Sequence, residues 1–127
     1  MSKRILIIDD DAGLATAYQA ILKSQGHEVT YISSGPQALE YLANHAIPDI
    51  IFLDCAMPEM SGEDFMEALE SSYPEVIKQA RIVGISNYMP GSRLTRDFEK
   101  KVHLFEEKPS RIEDLTELIR RVSSLNG

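Results

Sequence analysis

Short runs in which every position is apolar alternate along this chain with stretches in which apolar residues recur at helical spacing. Residues 4–8 (Arg4-Ile-Leu-Ile-Ile8) form the first run and Ile50-Ile-Phe-Leu53 the third, with further strand candidates at 28–33, 81–85 and 102–105. Between the first two, Leu14, Ala17, Tyr18, Ile21 and Leu22 repeat with the helical period, and Gly26 closes that helix. Ser34 is placed to cap a second helix with Pro36 in its first turn, burying Ala38, Leu39 and Leu42. A third helix is predicted over 63–70, and Pro74 either ends it or lets a short turn resume after it. A fourth spans 92–101. Ser110 is expected to cap the last helix, with Glu113 three residues on completing a capping box. Ile112, Leu115, Leu118, Ile119 and Val122 make that helix's apolar stripe.

A β-α unit therefore recurs five times. Strands apolar at every position suit a parallel sheet covered on both faces, and right-handed crossovers make such a sheet open and doubly wound. The predicted class is α/β, a (βα)5 arrangement with helices on both faces. The economical strand order is the flavodoxin-like 2-1-3-4-5, with its switch point between strands 1 and 3. The length of 127 residues suits one domain, 1–127, with no repeat, low-complexity segment or Gly/Ser linker.

Composition narrows the function. Cys55 is the only cysteine, which rules out an intramolecular disulfide and a Cys-rich zinc site. The first apolar run is too short for a signal peptide or a membrane span, so a cytoplasmic location and no membrane partner are expected. The net charge is −7, and the basic residues occur at most in pairs such as Lys100-Lys101. Phosphate contacts need clustered positive charge, so no direct nucleic-acid binding is expected.

In a sheet of this kind ligands bind outside the carboxyl ends of the strands. Strand 1 ends in Asp9-Asp10-Asp11, strand 3 in Asp54 and strand 4 in Ser86, while strand 5 is followed by Lys108-Pro109. Two carboxylates about 4 Å apart repel by roughly 4 kcal/mol at an intermediate dielectric. A hard cation removes that cost, and oxygen ligands suit Mg²⁺ or Mn²⁺. A carboxylate nucleophile, a divalent cation, a Lys and a hydroxyl are together the equipment for phosphoryl transfer onto Asp.

Five segments, in order and at strand ends, carry a family resemblance: Ile5-Leu-Ile-Ile-Asp-Asp-Asp11, Pro48-Asp-Ile-Ile-Phe-Leu-Asp54, Met57-Pro-Glu-Met-Ser-Gly62, Ile82-Val-Gly-Ile-Ser86 and Phe105-Glu-Glu-Lys-Pro109. Over its whole length the chain resembles the chemotaxis-regulator-like receiver domains of bacterial two-component response regulators. The resemblance implies a phosphoacceptor signalling switch rather than an enzyme, acting only in its own phosphotransfer and slow autodephosphorylation. Asp54 would be the phosphoacceptor. Asp9, Asp10, Asp54 and the main-chain carbonyl of Ala56 would hold Mg²⁺, with Mn²⁺ as a substitute. Lys108 and Ser86 would bind phosphoryl oxygens, and Ser86 with Phe105 would form the switch. Lys108-Pro109 would be a cis peptide. The donor would be a sensor histidine kinase or phosphotransfer protein, and the fourth helix, fifth strand and last helix would control an output protein or domain. The chain is expected to be either a stand-alone receiver or one taken from a longer protein.

Plainer readings stand beside these. Asp11 is expected to be the N-cap of the first helix and no part of the site. A strand-5 aromatic such as Phe105 is as readily permanent core as a rotamer switch. Cys55 reads as small, partly buried filler, and His27, His45 and His103 show no ligand spacing. A haloacid-dehalogenase-type phosphatase would want an acid two residues past the nucleophile, where this chain has Ala56. An FMN carrier would need a phosphate cradle after strand 1, where the three acids repel phosphate. The serious rival is a phosphorylation-independent receiver-like interaction module. Three departures from the family, Ala56, Asn87 and Tyr88, border the path of a hydrolytic water and point to an unusual phosphoryl lifetime. The stretch before strand 5 also lacks the common Ala-Gly-Ala turn, so the fourth helix is expected to be shaped differently.

Overall fold

The computed structural model describes residues 2–125. Its strands are β1 (Arg4–Ile8), β2 (Glu28–Ile32), β3 (Ile50–Asp54), β4 (Arg81–Ser86) and β5 (Leu104–Glu107). All pair in parallel, in the order β2-β1-β3-β4-β5. The helices are α1 (Ala12–Ser24), α2 (Gly35–Asn44), α3 (Gly62–Ser72), α4 (Pro74–Gln79), α5 (Arg96–Glu99) and α6 (Ile112–Ser123).

Alternate strand residues face opposite sides of the sheet, and both sides are buried. Leu6, Ile8, Ile51, Leu53 and Ile82 pack with Ala38 and Leu42 of α2, Phe65 and Leu69 of α3, Val76 of α4 and Phe98 of α5. Ile5, Ile7, Ile50, Phe52, Val83 and Ile85 pack on the other side with Ala15, Tyr18 and Leu22 of α1 and Leu115, Leu118 and Val122 of α6. This explains why the central strands read as unbroken apolar runs. Each fully buried large side chain contributes about 1.5–3 kcal/mol relative to exposure.

The helix ends in the first half form where the sequence places them. Asp11 caps α1 by accepting the Leu14 N–H, and Ser34 caps α2 by accepting the Gln37 N–H. Gly26 turns the chain at a φ of +92°, where a side chain would be strained. Pro74 ends one helix and opens another: α3 stops at Ser72, and α4 takes the proline in its first turn.

Three boundaries in the second half differ from expectation. The fourth helix shrinks to the four residues of α5. Ser92 Oγ accepts the Leu94 N–H and the Ser92 carbonyl accepts the Thr95 N–H, so turns hold the backbone that a longer helix would have used. Strand 5 begins two residues late, at Leu104, because Leu104 pairs with Val83, while His103 binds the edge of β4 with its backbone and ring. The last helix is capped at Arg111 without a side-chain cap, so the Ser110–Glu113 capping box does not form. Ile112 then lies at the first helical position and is 57% exposed, outside the stripe expected to bury it.

Candidate functional site

The sheet's carboxyl edge gathers residues that lie far apart in sequence. Asp9 follows β1 and is buried; its Oδ1 accepts the Asp11 N–H at 2.9 Å. Asp54 ends β3 and is also buried. Between them stands the Lys108 ammonium, 3.0 Å from Asp9 Oδ2 and 3.4 Å from Asp54 Oδ1. The Lys108 backbone is anchored separately, its N–H donating to the Ser86 carbonyl at 2.7 Å. Asp10 is exposed but turns one oxygen into the same group, and the three carboxylates present oxygens all within 4.8 Å of one another.

Two charges at that separation repel by roughly 3–4 kcal/mol at an effective dielectric of about 20. Burial, then the charge of Asp9, push the Asp54 carboxyl up to about 8 against the pull of Lys108. Lys108 lies above its ordinary value. Burial pulls it down, but Asp54 and Asp9 outweigh that. One ammonium does not balance three acids. The remaining imbalance, the all-oxygen donor set, and a buried Asp9 Oδ2 that has its ion pair but no hydrogen bond of good geometry all fit a small divalent cation.

Other expected site residues take the following positions. The Ala56 N–H donates a long hydrogen bond of 3.4 Å to Asp54 Oδ1, a contact that the sequence reading did not foresee. Its loop is tied to the sheet by the Cys55 N–H on the Ile85 carbonyl and closed on itself by the Gly62 N–H on the Cys55 carbonyl, each at 2.9 Å. Ser86 is buried at the end of β4, and its Oγ accepts the Tyr88 N–H at 3.0 Å. Among the described residues no hydrogen bond joins Ser86 to the carboxylates. Phe105, half-buried on β5, stands edge-on to Phe98 with ring centroids 5.9 Å apart.

The expected cis peptide at Lys108-Pro109 is corrected: among the described residues there is no cis peptide bond. Trans is the default even before proline; on either side of the bond the Lys108 N–H donates to the Ser86 carbonyl and the Pro109 carbonyl accepts the Tyr18 hydroxyl at 2.6 Å. Tyr18 is thus a positioning residue missed from sequence. It lies on the apolar stripe of α1, where nothing signals its hydroxyl. Phe98 was missed for a similar reason, since an aromatic in a predicted helix reads as core. Cys55 is partly buried, and burial followed by the charge of Asp54 pushes its thiol up, away from an activated thiolate. His27 and His103 each accept a backbone N–H through Nδ1.

Among the described residues no helix is long and apolar enough to cross a membrane. Residues 5–120 match the family described as the response regulator receiver domain. The chain is 31% identical over 118 residues to the two-component response regulator ORR3 of Oryza sativa subsp. indica, covering 93% of this chain and 88% of that protein. It is 37% identical over 70 residues to the luminescence regulatory protein LuxO of Vibrio campbellii, covering 55% of this chain but only 15% of that longer relative. Among solved structures, the chemotaxis response regulator CheY4 of Vibrio cholerae superimposes with a TM-score of 0.79 at 26% identity, covering 96% of this chain and 99% of that one. A CheY-like receiver domain from Methylobacillus flagellatus does so with a TM-score of 0.77 at 21% identity, with the same coverage. With its strand order, its carboxylate edge and a family match over most of its length, the chain belongs to the response regulator receiver domain family.

Proposed function

We propose that this receiver domain accepts a phosphoryl group on Asp54 from a phosphohistidine of a sensor histidine kinase or phosphotransfer protein. The observation that carries the reading is the Lys108 ammonium bridging two buried carboxylates at 3.0 and 3.4 Å. A buried cation between buried acids is costly to build as mere scaffold, and it is suited to the charge that develops on a transferring phosphoryl group.

In the reaction an Asp54 carboxylate oxygen attacks phosphorus. The P–N bond to the donor imidazole breaks as the O–P bond forms, and the imidazole leaves with a proton from solvent. Lys108 pairs with a phosphoryl oxygen. Asp9, Asp10, Asp54 and the Ala56 carbonyl would hold Mg²⁺, or Mn²⁺ in its place, which when bound supplies positive charge beside the phosphoryl oxygens. Ser86 exchanges its Tyr88 partner for another phosphoryl oxygen and draws the loop after β4 inward. Phosphorylation replaces one negative charge with about two and adds acceptor oxygens. Moving a switch from 1:99 to 99:1 takes about 5.5 kcal/mol of differential binding, which a few charge-assisted hydrogen bonds supply in large part. The face formed by α5, β5 and α6 would then engage an output protein or domain. The chain acts as one receiver unit in the cytoplasm, and its only reactions are on itself. Ala56, Asn87 and Tyr88 border the attack path of water and set an unusual phosphoryl lifetime.

Acetyl phosphate with Mg²⁺ is expected to place acid-labile phosphate on the wild type and none on Asp54→Asn. Incorporation at the wild-type level by Asp54→Asn overturns the assignment. A wild type that takes up no phosphate from acetyl phosphate or from any cognate kinase favours the phosphorylation-independent module.

A further inference from the structure

Phe98 is carried on the four-residue helix α5, yet it is one of the largest fully enclosed side chains of the protein. Its ring touches three parts of the switch region. A Cβ added at Gly62 would lie 2.7 Å from Phe98 Cε1, and also 2.6 Å from the Asp54 carbonyl oxygen. A Cβ added at Gly84 would lie 2.6 Å from Phe98 Cε2 and 3.1 Å from Phe105 Cδ1. The third contact is Phe105 itself, edge-on at 84°. The ring therefore lies over glycines because only glycine leaves room for it there. One of these glycines closes the loop that follows the acceptor. The other precedes Ser86 by two residues and pairs with Phe105 in the sheet.

The segment carrying Phe98 is also tied to the loop after Ser86. Glu99 Oε2 accepts the Gly91 N–H at 2.7 Å and the hydroxyl of the buried Thr95 at 2.8 Å. Inward movement of that loop thus pulls on α5, and α5 carries the ring that abuts Phe105.

We infer that Phe98 is a positioning residue that interlocks the acceptor loop with Phe105, so that Phe105 changes place only when Phe98 does. This deepens the proposed switch and rests on it. Close packing makes such an arrangement bistable rather than continuously deformable. A smaller side chain at 98 leaves space beside Gly84 for Phe105 to enter without phosphorylation. The competent state then becomes more populated in the free protein, and the apparent affinity for an activating ligand rises in proportion.

The test uses the full chain labelled with fluorophenylalanine, with the signal of residue 105 assigned by Phe105→Leu, and beryllofluoride with Mg²⁺ as the activating probe. Wild type is expected to show a shift of the Phe105 signal on saturation. In Phe98→Leu, the metal-free signal is expected to lie partway toward the saturated position, with a titration midpoint lower by up to about tenfold. Phe98→Met, which keeps most of the core volume, is expected to move both readouts in the same direction but less, and it carries the test if the Leu variant does not fold. A metal-free signal and a midpoint in both folded variants equal to wild type overturn the interlock while leaving the receiver reading intact. Absence of any beryllofluoride response in wild type overturns the phosphoacceptor reading and the interlock with it.

Discussion

The β1–β3 side of the carboxyl edge and the β4–α5–β5 corner hold the two halves of the proposed switch, and they are built differently. Asp9 follows and Asp54 ends strands that are buried at every position but Arg4 and paired on both sides. Their positions follow from sheet register alone. The corner rests on β5, an edge strand of four residues paired on one side only, and on a helix of four residues. Its geometry depends on a few individual contacts: Glu99 on Gly91, His103 on Ile82, and Phe98 against two glycines. The difference teaches where each task belongs. In the proposed switch the chemistry would sit on the rigid centre, and the part that moves where few contacts have to be broken.

The largest effect expected from testing this contrast comes from the centre. Ile7→Ala, in a strand buried on both faces, is expected to cost about 2–5 kcal/mol in denaturant melts. A loss below 1 kcal/mol would mean that the centre is less rigid than its packing implies. Lys108→Met is expected to cost about 3 kcal/mol at neutral pH in metal-free buffer, because the buried Asp9 then loses its ammonium partner. Added Mg²⁺ is expected to recover part of that loss, and no recovery would count against a cation site at these carboxylates.

The third effect is one of pH. Asp54 is raised from 3.8 to about 8, so the fold favours its protonated form. Its contribution is fully present below pH 4 and is lost as pH rises through 8. Thermal melts of metal-free wild type should therefore show a decline across that window which Asp54→Asn lacks. Mg²⁺ should flatten the wild-type profile by drawing the carboxyl down. Parallel profiles for the two proteins would place the strain elsewhere.

The smallest effect belongs to the edge. His103 is lowered, by burial and then by Arg81, and its Nδ1 accepts the Ile82 N–H only while unprotonated. The stability it lends is present above pH 6.5 and fades as pH falls below that. Hydrogen exchange at the β4–β5 edge should accelerate under mild acid in wild type more than in His103→Gln. Equal acceleration in both would remove the histidine from the account.

The central sheet and the acid cluster were legible in the residues themselves. Runs such as Ile5-Leu-Ile-Ile8 admit no solvent-facing position, so they dictate a two-sided parallel sheet, and a parallel sheet dictates which ends meet. Asp9, Asp10, Asp54 and Lys108 follow from that placement. What tertiary structure alone decided lies where local signals competed. Ser110 and Glu113 spelled a capping box, yet the helix starts after Arg111 and exposes Ile112. Residues 92–101 had helical character, yet turns at Ser92 and the glutamate pin at Glu99 left a single turn of helix around a buried Phe98. Caps and short helices are worth only about 1 kcal/mol each, less than the burial of one aromatic ring. Non-local packing therefore settled the corner, while at the centre local pattern and packing asked for the same structure.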